Sequence, residues 1–176
     1  MKTFYGTLIG IVALLMVAPL AAGGDRAFPR WDEQINHPNR FKVLGDFGGA
    51  AVLDKETGLV WEQSPDTTTR TWFNALSHCY QRVVGGRKGW RLPTIEELAS
   101  LVDTSNSSPA LPTGHPFTLT SAQEDGFYWS ATTLADVTSN AWGVGLFNGS
   151  VSFVVDKSVT FHVWCVRGGQ GIDGVQ

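Results

Sequence analysis

The spacing of apolar residues changes along the chain, and each change marks an element. Residues 51–53 and 59–61 are short apolar runs separated by Asp-Lys-Glu-Thr-Gly. Asp54 can seed a turn through its side chain and Gly58 can take positive φ, so the pattern predicts a β-hairpin with a bulged turn. From residue 72 the period lengthens. Trp72, Ala75, Leu76, Cys79, Tyr80 and Val83 fall at i, i+3, i+4, i+7, i+8 and i+11, one stripe of a helix. Thr71 is placed as its N-cap and Gly85 as its stop.

A second helix is expected within residues 89–103, Gly-Trp-Arg-Leu-Pro-Thr-Ile-Glu-Glu-Leu-Ala-Ser-Leu-Val-Asp. Thr94 and Glu97 have capping-box spacing, and Pro93 keeps Leu92 extended ahead of the cap. Ile95, Leu98, Ala99 and Val102 form its apolar side. Trp90 precedes Arg91, a lone cation whose expected use is a fixed ion pair or carbonyl clamp in preference to ligand contact.

Residues 105–126 are rich in Ser, Thr, Pro and Gly without a period, a long ordered loop of the kind that is often functional. Then alternation returns. Residues 127–132 read as a short strand that includes Trp129. Trp142, Val144 and Leu146 share one face, followed by Asn148-Gly149 and by Val151, Phe153 and Val155. Asn-Gly between alternating apolar residues is a strong hairpin signal. A last strand carries Phe161, Val163 and Cys165 on one side and His162, Trp164 and Val166 on the other. Two short helices, antiparallel β-sheets and a long loop region make an α+β domain.

Upstream of this, residues 1–23 have an early Lys2, an apolar run over 8–17 and small residues after Pro19. This is the pattern of a signal peptide, with cleavage near Ala22 or Gly23 and an uncleaved anchor as the alternative. Residues 24–40 read as an N-terminal arm or linker, 41–169 as the domain and 170–176 as a tail. After signal cleavage no membrane insertion is expected, and the product would be exported, periplasmic or extracellular. The chain has 176 residues with a net charge of −3 and only 16% charged residues, which speaks against nucleic acid as a partner. Its two cysteines, Cys79 and Cys165, most simply form one disulfide in an exported chain, the alternatives being two free thiols or a redox pair.

Taken in order, Arg40-Phe41, residues 54–61 ending in Trp61, residues 71–76 with Trp72 and then Cys79, residues 89–101, residues 128–132, and Trp164-Cys165-Val166-Arg167-Gly168-Gly169 resemble the Lcl C-terminal domain family. That family was long catalogued as a domain of unknown function, and the resemblance covers residues 40–169. It implies a C-type-lectin-like fold in which a Cys on the first helix pairs with a Cys on the final strand. It also implies exported surface or periplasmic proteins that bind, including to carbohydrate polymers, without enzymatic activity.

The resemblance does not bring a ligand site with it. Calcium-dependent lectins carry Glu-Pro-Asn or Gln-Pro-Asp in the long loop and Trp-Asn-Asp on a later strand. Here Trp142 is followed by Gly143 and Val144, which offer no side-chain oxygen to an ion that needs six to eight. Asp125, Asp136, Asn140, Asn148 and Asp156 carry oxygens that another calcium site would use, although turn formation is their plainer role. No cofactor or metal is therefore expected.

Enzymatic signatures are missing as well. His37, His78, His115 and His162 lack zinc spacing, no nucleophile elbow precedes a helix, and Glu96 and Glu97 point apart on their helix. The fold's oxidase relatives, of the formylglycine-generating type, need reactive thiols, which a disulfide would consume. The expected function is a binding module for carbohydrate polymer or a cell-surface ligand, with a protein-binding or assembly role in the cell envelope as the alternative. Candidate ligand contacts are Asn140, Trp142, Asn148, Ser150 and Ser152, expected on one sheet end beside the loop 105–125 and the turn 147–152.

Overall fold

The β-hairpin signal at Asp54 and Gly58 is realised in full. In a computed structural model that describes residues 39–168, without the side chains of residues 152–154, β2 (Ala51–Asp54) pairs antiparallel with β3 (Val60–Glu62). Asp54 accepts the Glu56 amide at 3.1 Å and the Thr57 hydroxyl at 2.9 Å, and Gly58 has φ +74°. A strand that the apolar pattern did not announce, β1 (Phe41–Val43), adds to the outer edge of β2. The segments 1–38 and 169–176, with the signal-peptide, arm and tail expectations, lie outside the described residues, apart from Asn39 and Arg40 of the arm.

The first helix, α1 (Trp72–Gln81), buries Trp72, Ala75 and Cys79. The predicted stripe runs too far, because Tyr80 and Val83 are exposed. The helix stops at Arg82, which is extended at ψ 139°, so the stripe loses its geometry there. Gly85 serves a different end from the expected stop: at φ +55° its backbone lies so close to Phe47 that a Cβ would overlap the Phe47 carbonyl. Thr71 occupies the N-cap position without a capping hydrogen bond from its side chain.

The second helix, α2 (Ile95–Ala99), carries the capping box. Thr94 Oγ1 accepts the Glu97 amide at 3.3 Å and Glu97 Oε2 accepts the Thr94 amide at 2.9 Å. A third, α3 (Ser121–Glu124), interrupts the region read as loop. Its signal was present as Thr120-Ser-Ala-Gln123, and the Thr120 amide and hydroxyl both donate to Gln123 Oε1 at 3.0 and 3.1 Å.

The strands β4 (Phe127–Thr133), β5 (Asn140–Gly145) and β6 (Ser150–Asp156) form a second antiparallel sheet. The predicted last strand is reduced to β7 (Val166–Arg167), which pairs with β3 in the first sheet. Residues before it cross between the sheets, and Phe161 pairs with Arg70 while His162 pairs with Tyr128. No one neighbour accompanies the segment long enough to make a ladder. Its side-chain alternation survives all the same. Val163 and Cys165 enter a core cluster with Trp72, Ala75 and Trp129, while Trp164 and Val166 enter another with Trp61, Leu98 and Leu111.

The protein is thus an α+β domain with two antiparallel sheets. α1 packs in the first of these cores and α2 with the long loop in the second. Cys79 and Cys165 form a disulfide across 86 residues with Cα atoms 5.4 Å apart, tying α1 to the crossing segment. In the chain-entropy model such a closure stabilises the fold by about 4–5 kcal/mol.

Candidate functional site

Residues 89–103 are a frame. Arg91 donates from both terminal nitrogens to Glu97, at 2.7 and 2.6 Å, and to the Gly168 carbonyl at 2.6 Å. Burial works to raise the Glu97 carboxyl, yet the Arg91 hydrogen bonds and charge and the Thr94 amide hold it below the usual carboxylate range. One carboxylate therefore caps α2 and fixes the guanidinium that grips the backbone just after β7. The Pro93 carbonyl accepts the Ala131 amide at 2.7 Å, and Arg167 Nε donates to the Lys88 carbonyl at 3.0 Å.

The tryptophans of the signature belong to the interior. The indole N–H groups of Trp72, Trp90, Trp129 and Trp164 each donate to a backbone carbonyl, of Ser130, Arg87, Arg70 and Glu62. Trp61 is fully buried and packs edge-on against Trp164 with centroids 5.8 Å apart. These rings are spent on packing and offer no stacking face to a ligand.

Two ion pairs built on buried carboxylates carry no local sequence signal, since their partners are far apart in the chain. Arg40 donates to both oxygens of Asp54, at 2.9 and 2.7 Å, and to the Ser100 carbonyl at 2.6 Å. Glu62, 1% exposed, accepts the Arg82 guanidinium and the Cys165 amide. Burial pushes the Glu62 carboxyl up, against the pull of both partners. Beside it, Arg70 pairs with Asp66 at 2.6 Å, and burial together with Arg70 and Arg82 lowers His78.

The five predicted ligand contacts do not converge on one end. Asn140 stands opposite Asp156 at the start of β5, whereas Ser150 stands opposite Gly145 at its finish. At about 3.3 Å per residue the two ends lie roughly 17 Å apart. Asn148 and Ser150 occupy the far turn, where Asn148 Oδ1 accepts the Ser150 amide at 3.0 Å. Trp142 is half-buried against the core cluster that contains α2. The side chain of Ser152 lies outside the described residues.

The long loop is likewise committed to structure. Its Ser108 and Ala110 amides donate to the Phe147 and Leu146 carbonyls at 3.1 and 2.6 Å, and Ala110, Leu111 and Phe117 are buried. The β5–β6 turn spans four residues (146–149) instead of closing tightly at Asn-Gly, and these bonds tie it to the loop.

At the Asn140 end three segments meet around an open groove of about 380 Å³, lined by Thr71, Phe73, Thr138, Ser139, Asp156, Lys157 and Ser158. Backbone bonds hold the segments together, from the Trp72 amide to the Lys157 carbonyl at 3.1 Å and from the Lys157 amide to the Ser139 carbonyl at 2.9 Å. Lys157 is the keystone. Its ammonium lies 4.0 Å from the Trp72 ring centroid and donates to Thr133 Oγ1 at 2.9 Å and to the Thr138 carbonyl at 2.8 Å. Phe73, in edge contact with Trp72, is 68% exposed.

Asp156 is fully open to water, and bonds from the Ser158 side chain and amide hold its carboxyl below the usual range. The residues that line the groove carry an aromatic ring, four hydroxyls, one carboxylate and one pinned ammonium. That set suits reversible recognition of a hydroxylated ligand.

Of the predicted contacts, Asn140 alone borders this groove, through Ser139, whose hydroxyl donates to Asn140 Oδ1 at 3.1 Å. Phe73 was detectable as a large aromatic on the polar side of the α1 stripe. Lys157 and Ser158 were not, because only the meeting of distant loops gives them a role. Among the described residues no three His, Cys, Asp or Glu side chains gather as a metal site, and no helix is long and apolar enough to cross a membrane.

Compared with curated proteins, the sequence matches none. The family model of the Lcl C-terminal domain matches residues 50–167, more than half of the chain and the stretch that holds both sheets except β1, together with α1, α2, α3 and both cysteines. The chain belongs to the Lcl C-terminal domain family.

Proposed function

We propose that this protein is an exported, non-enzymatic binding module of C-type-lectin-like fold that recognises a carbohydrate polymer or a related cell-surface ligand. The observation that carries the reading is the groove around Phe73 and Asp156, where an exposed ring and several hydroxyls border a rigid floor. Sugar rings offer a C–H face to an aromatic side chain and hydroxyls to polar groups, so the two halves of the groove match the two halves of such a ligand. The fold assignment rests on the family and on the link between the first helix and the closing segment. The disulfide also supports a non-enzymatic role, since it leaves Cys79 and Cys165 no thiolate for oxidase chemistry. Export rests on the pattern of residues 1–23.

Binding to an immobilised glycan array, with and without EDTA, tests the reading. Retention on a defined set of glycans that survives EDTA and is lost in Phe73→Ala is the expected result. A second reading, a protein-binding or assembly module of the cell envelope, draws on the partly exposed Phe147 and Val151 at the opposite end of the β5–β6 hairpin. Silence on the array together with specific capture of one envelope protein, lost in Phe147→Ala, would favour it.

A further inference from the structure

The outer face of α1 departs from an ordinary solvent-facing helix. Asn74, Ser77 and Gln81 are exposed along with Phe73 and Tyr80, and Tyr80 reaches 84% exposure. An exposed helical face normally carries charged residues; this one has none. The cations flanking it are engaged elsewhere, Arg70 with Asp66, Arg82 with Glu62 and Lys157 with Thr133 and the Thr138 carbonyl. In the adjoining groove Asp156 and Lys157 offset each other in charge. The surface is electrically neutral and lined with amides and hydroxyls between two rings.

The placement of the rings is regular. Phe73 and Tyr80 are separated by seven residues, which puts them about 10 Å apart along the helix axis and within about 20° of the same azimuth. Phe73 lines the groove, so the path from the groove leads directly onto this face. In a β-1,4-linked polysaccharide each sugar is flipped relative to its neighbour. The same ring face therefore recurs at every second unit, over a length close to the separation of the two side chains.

We propose that α1 extends the groove into a binding track on which Phe73 and Tyr80 stack sugars two units apart in an extended, uncharged, β-1,4-linked polysaccharide. The inference rests on the reading of the groove as a carbohydrate site and adds the linkage, the charge and the second contact point. Asn74, Ser77 and Gln81 supply hydrogen-bonding groups between the rings, and the bond from Gln81 Nε2 to Ser77 Oγ at 3.1 Å already orders that stretch. A neutral polymer fits because α1 carries no charged side chain and the groove's one carboxylate, Asp156, is offset by Lys157, so the track has no net charge for a charged polymer to match.

The test is calorimetric titration of the disulfide-intact protein with cellohexaose and chitohexaose, their disaccharides, and a sulfated heparin-derived hexasaccharide. One of the neutral hexamers should bind at least tenfold more tightly than its disaccharide. Tyr80→Ala should weaken that hexamer by roughly tenfold while leaving the disaccharide unchanged, and Tyr80→Phe should restore it. Phe73→Ala should weaken both lengths. If Tyr80→Ala leaves hexamer binding intact while Phe73→Ala weakens it, the track is overturned and the groove site stands. Preference for the sulfated hexasaccharide overturns the neutral-polymer assignment, and binding of none of the probes overturns track and groove reading together. Sedimentation of wild type showing a dimer that Tyr80→Ala dissolves would also overturn the track, by assigning the ring to self-association.

Discussion

Glu62 and Cys165 meet twice: the Cys165 amide donates to Glu62 Oε2 at 3.0 Å, and the Glu62 amide donates to the Cys165 carbonyl at 3.3 Å. The disulfide is thereby gripped on its Cys165 side by β3 and on its Cys79 side by α1, which is followed directly by Arg82, the Glu62 partner. Covalent and ionic ties converge where the two sheets are bridged.

Removal of the covalent tie should therefore be costly. The double substitution Cys79→Ser with Cys165→Ser is expected to lower the unfolding free energy by about 4–5 kcal/mol in the chain-entropy model, read from urea transitions. An unchanged midpoint and slope would contradict the assigned role of the bridge.

Glu62 should impose an unusual pH dependence. Because burial raises its folded value above the ordinary 4.5, the folded state holds a proton more tightly there than the unfolded chain. Its ionisation weighs against folding at neutral pH, and that penalty is relieved as pH falls through the folded value. Wild type should accordingly gain stability relative to Glu62→Gln between pH 7 and pH 4.5, measured by urea unfolding at stepped pH. A relative loss over that window would reverse the assignment.

Asp66 has the opposite sign. Burial works to raise it, but bonds from Thr68 and Arg70 and the Arg70 charge bring it down to about 2 from 3.8. Stability from this pair is present in full above the unfolded value and is lost as pH falls from about 4 toward 2. Asp66→Asn should remove that part of the acid sensitivity in urea unfolding at stepped pH, while the neutral-to-mildly-acid slope from Glu62 persists in reduced form, since burial is its largest cause and the Asp66 charge a smaller one.

The Arg91 clamp should not tolerate its nearest homologue. Lysine cannot donate in parallel to both Glu97 oxygens while reaching the Gly168 carbonyl. Arg91→Lys is expected to lose about 1–3 kcal/mol of stability, seen as a lower urea midpoint with the same slope. Lost ligand binding at full stability would instead move Arg91 from the frame into the site.

What could be read from the residues alone follows the range of each interaction. Local signals are clear. The Asp54–Gly58 turn, the Thr94–Glu97 capping box and the opposite facing of Cys165 and Trp164 each depend on a few neighbouring positions and match the structure. Signals that need a partner elsewhere fail. Tyr80 fits the helical period of α1, yet among the described residues no element covers it. The stretch from Phe161 to Cys165 alternates like a strand but lacks a continuous neighbour.

The candidate site divides along the same line. From the sequence, Asn140 is expected on the same sheet end as Asn148 and Ser150, whereas the β5–β6 register sets it at the opposite end. The groove depends on Thr71, Ser139 and Ser158 meeting from separate connections. Family resemblance named the domain but carried no information on which end of the sheet is left open.

Backbone amide shifts in an NMR titration of the folded protein with cellohexaose and chitohexaose test the central claim most directly. The account predicts that one of them perturbs Phe73, Ser139, Asp156 and Ser158 while residues 108–111 and 147–150 stay still. Perturbations confined to the 147–150 turn and the neighbouring loop, with the Phe73 groove silent, would contradict it.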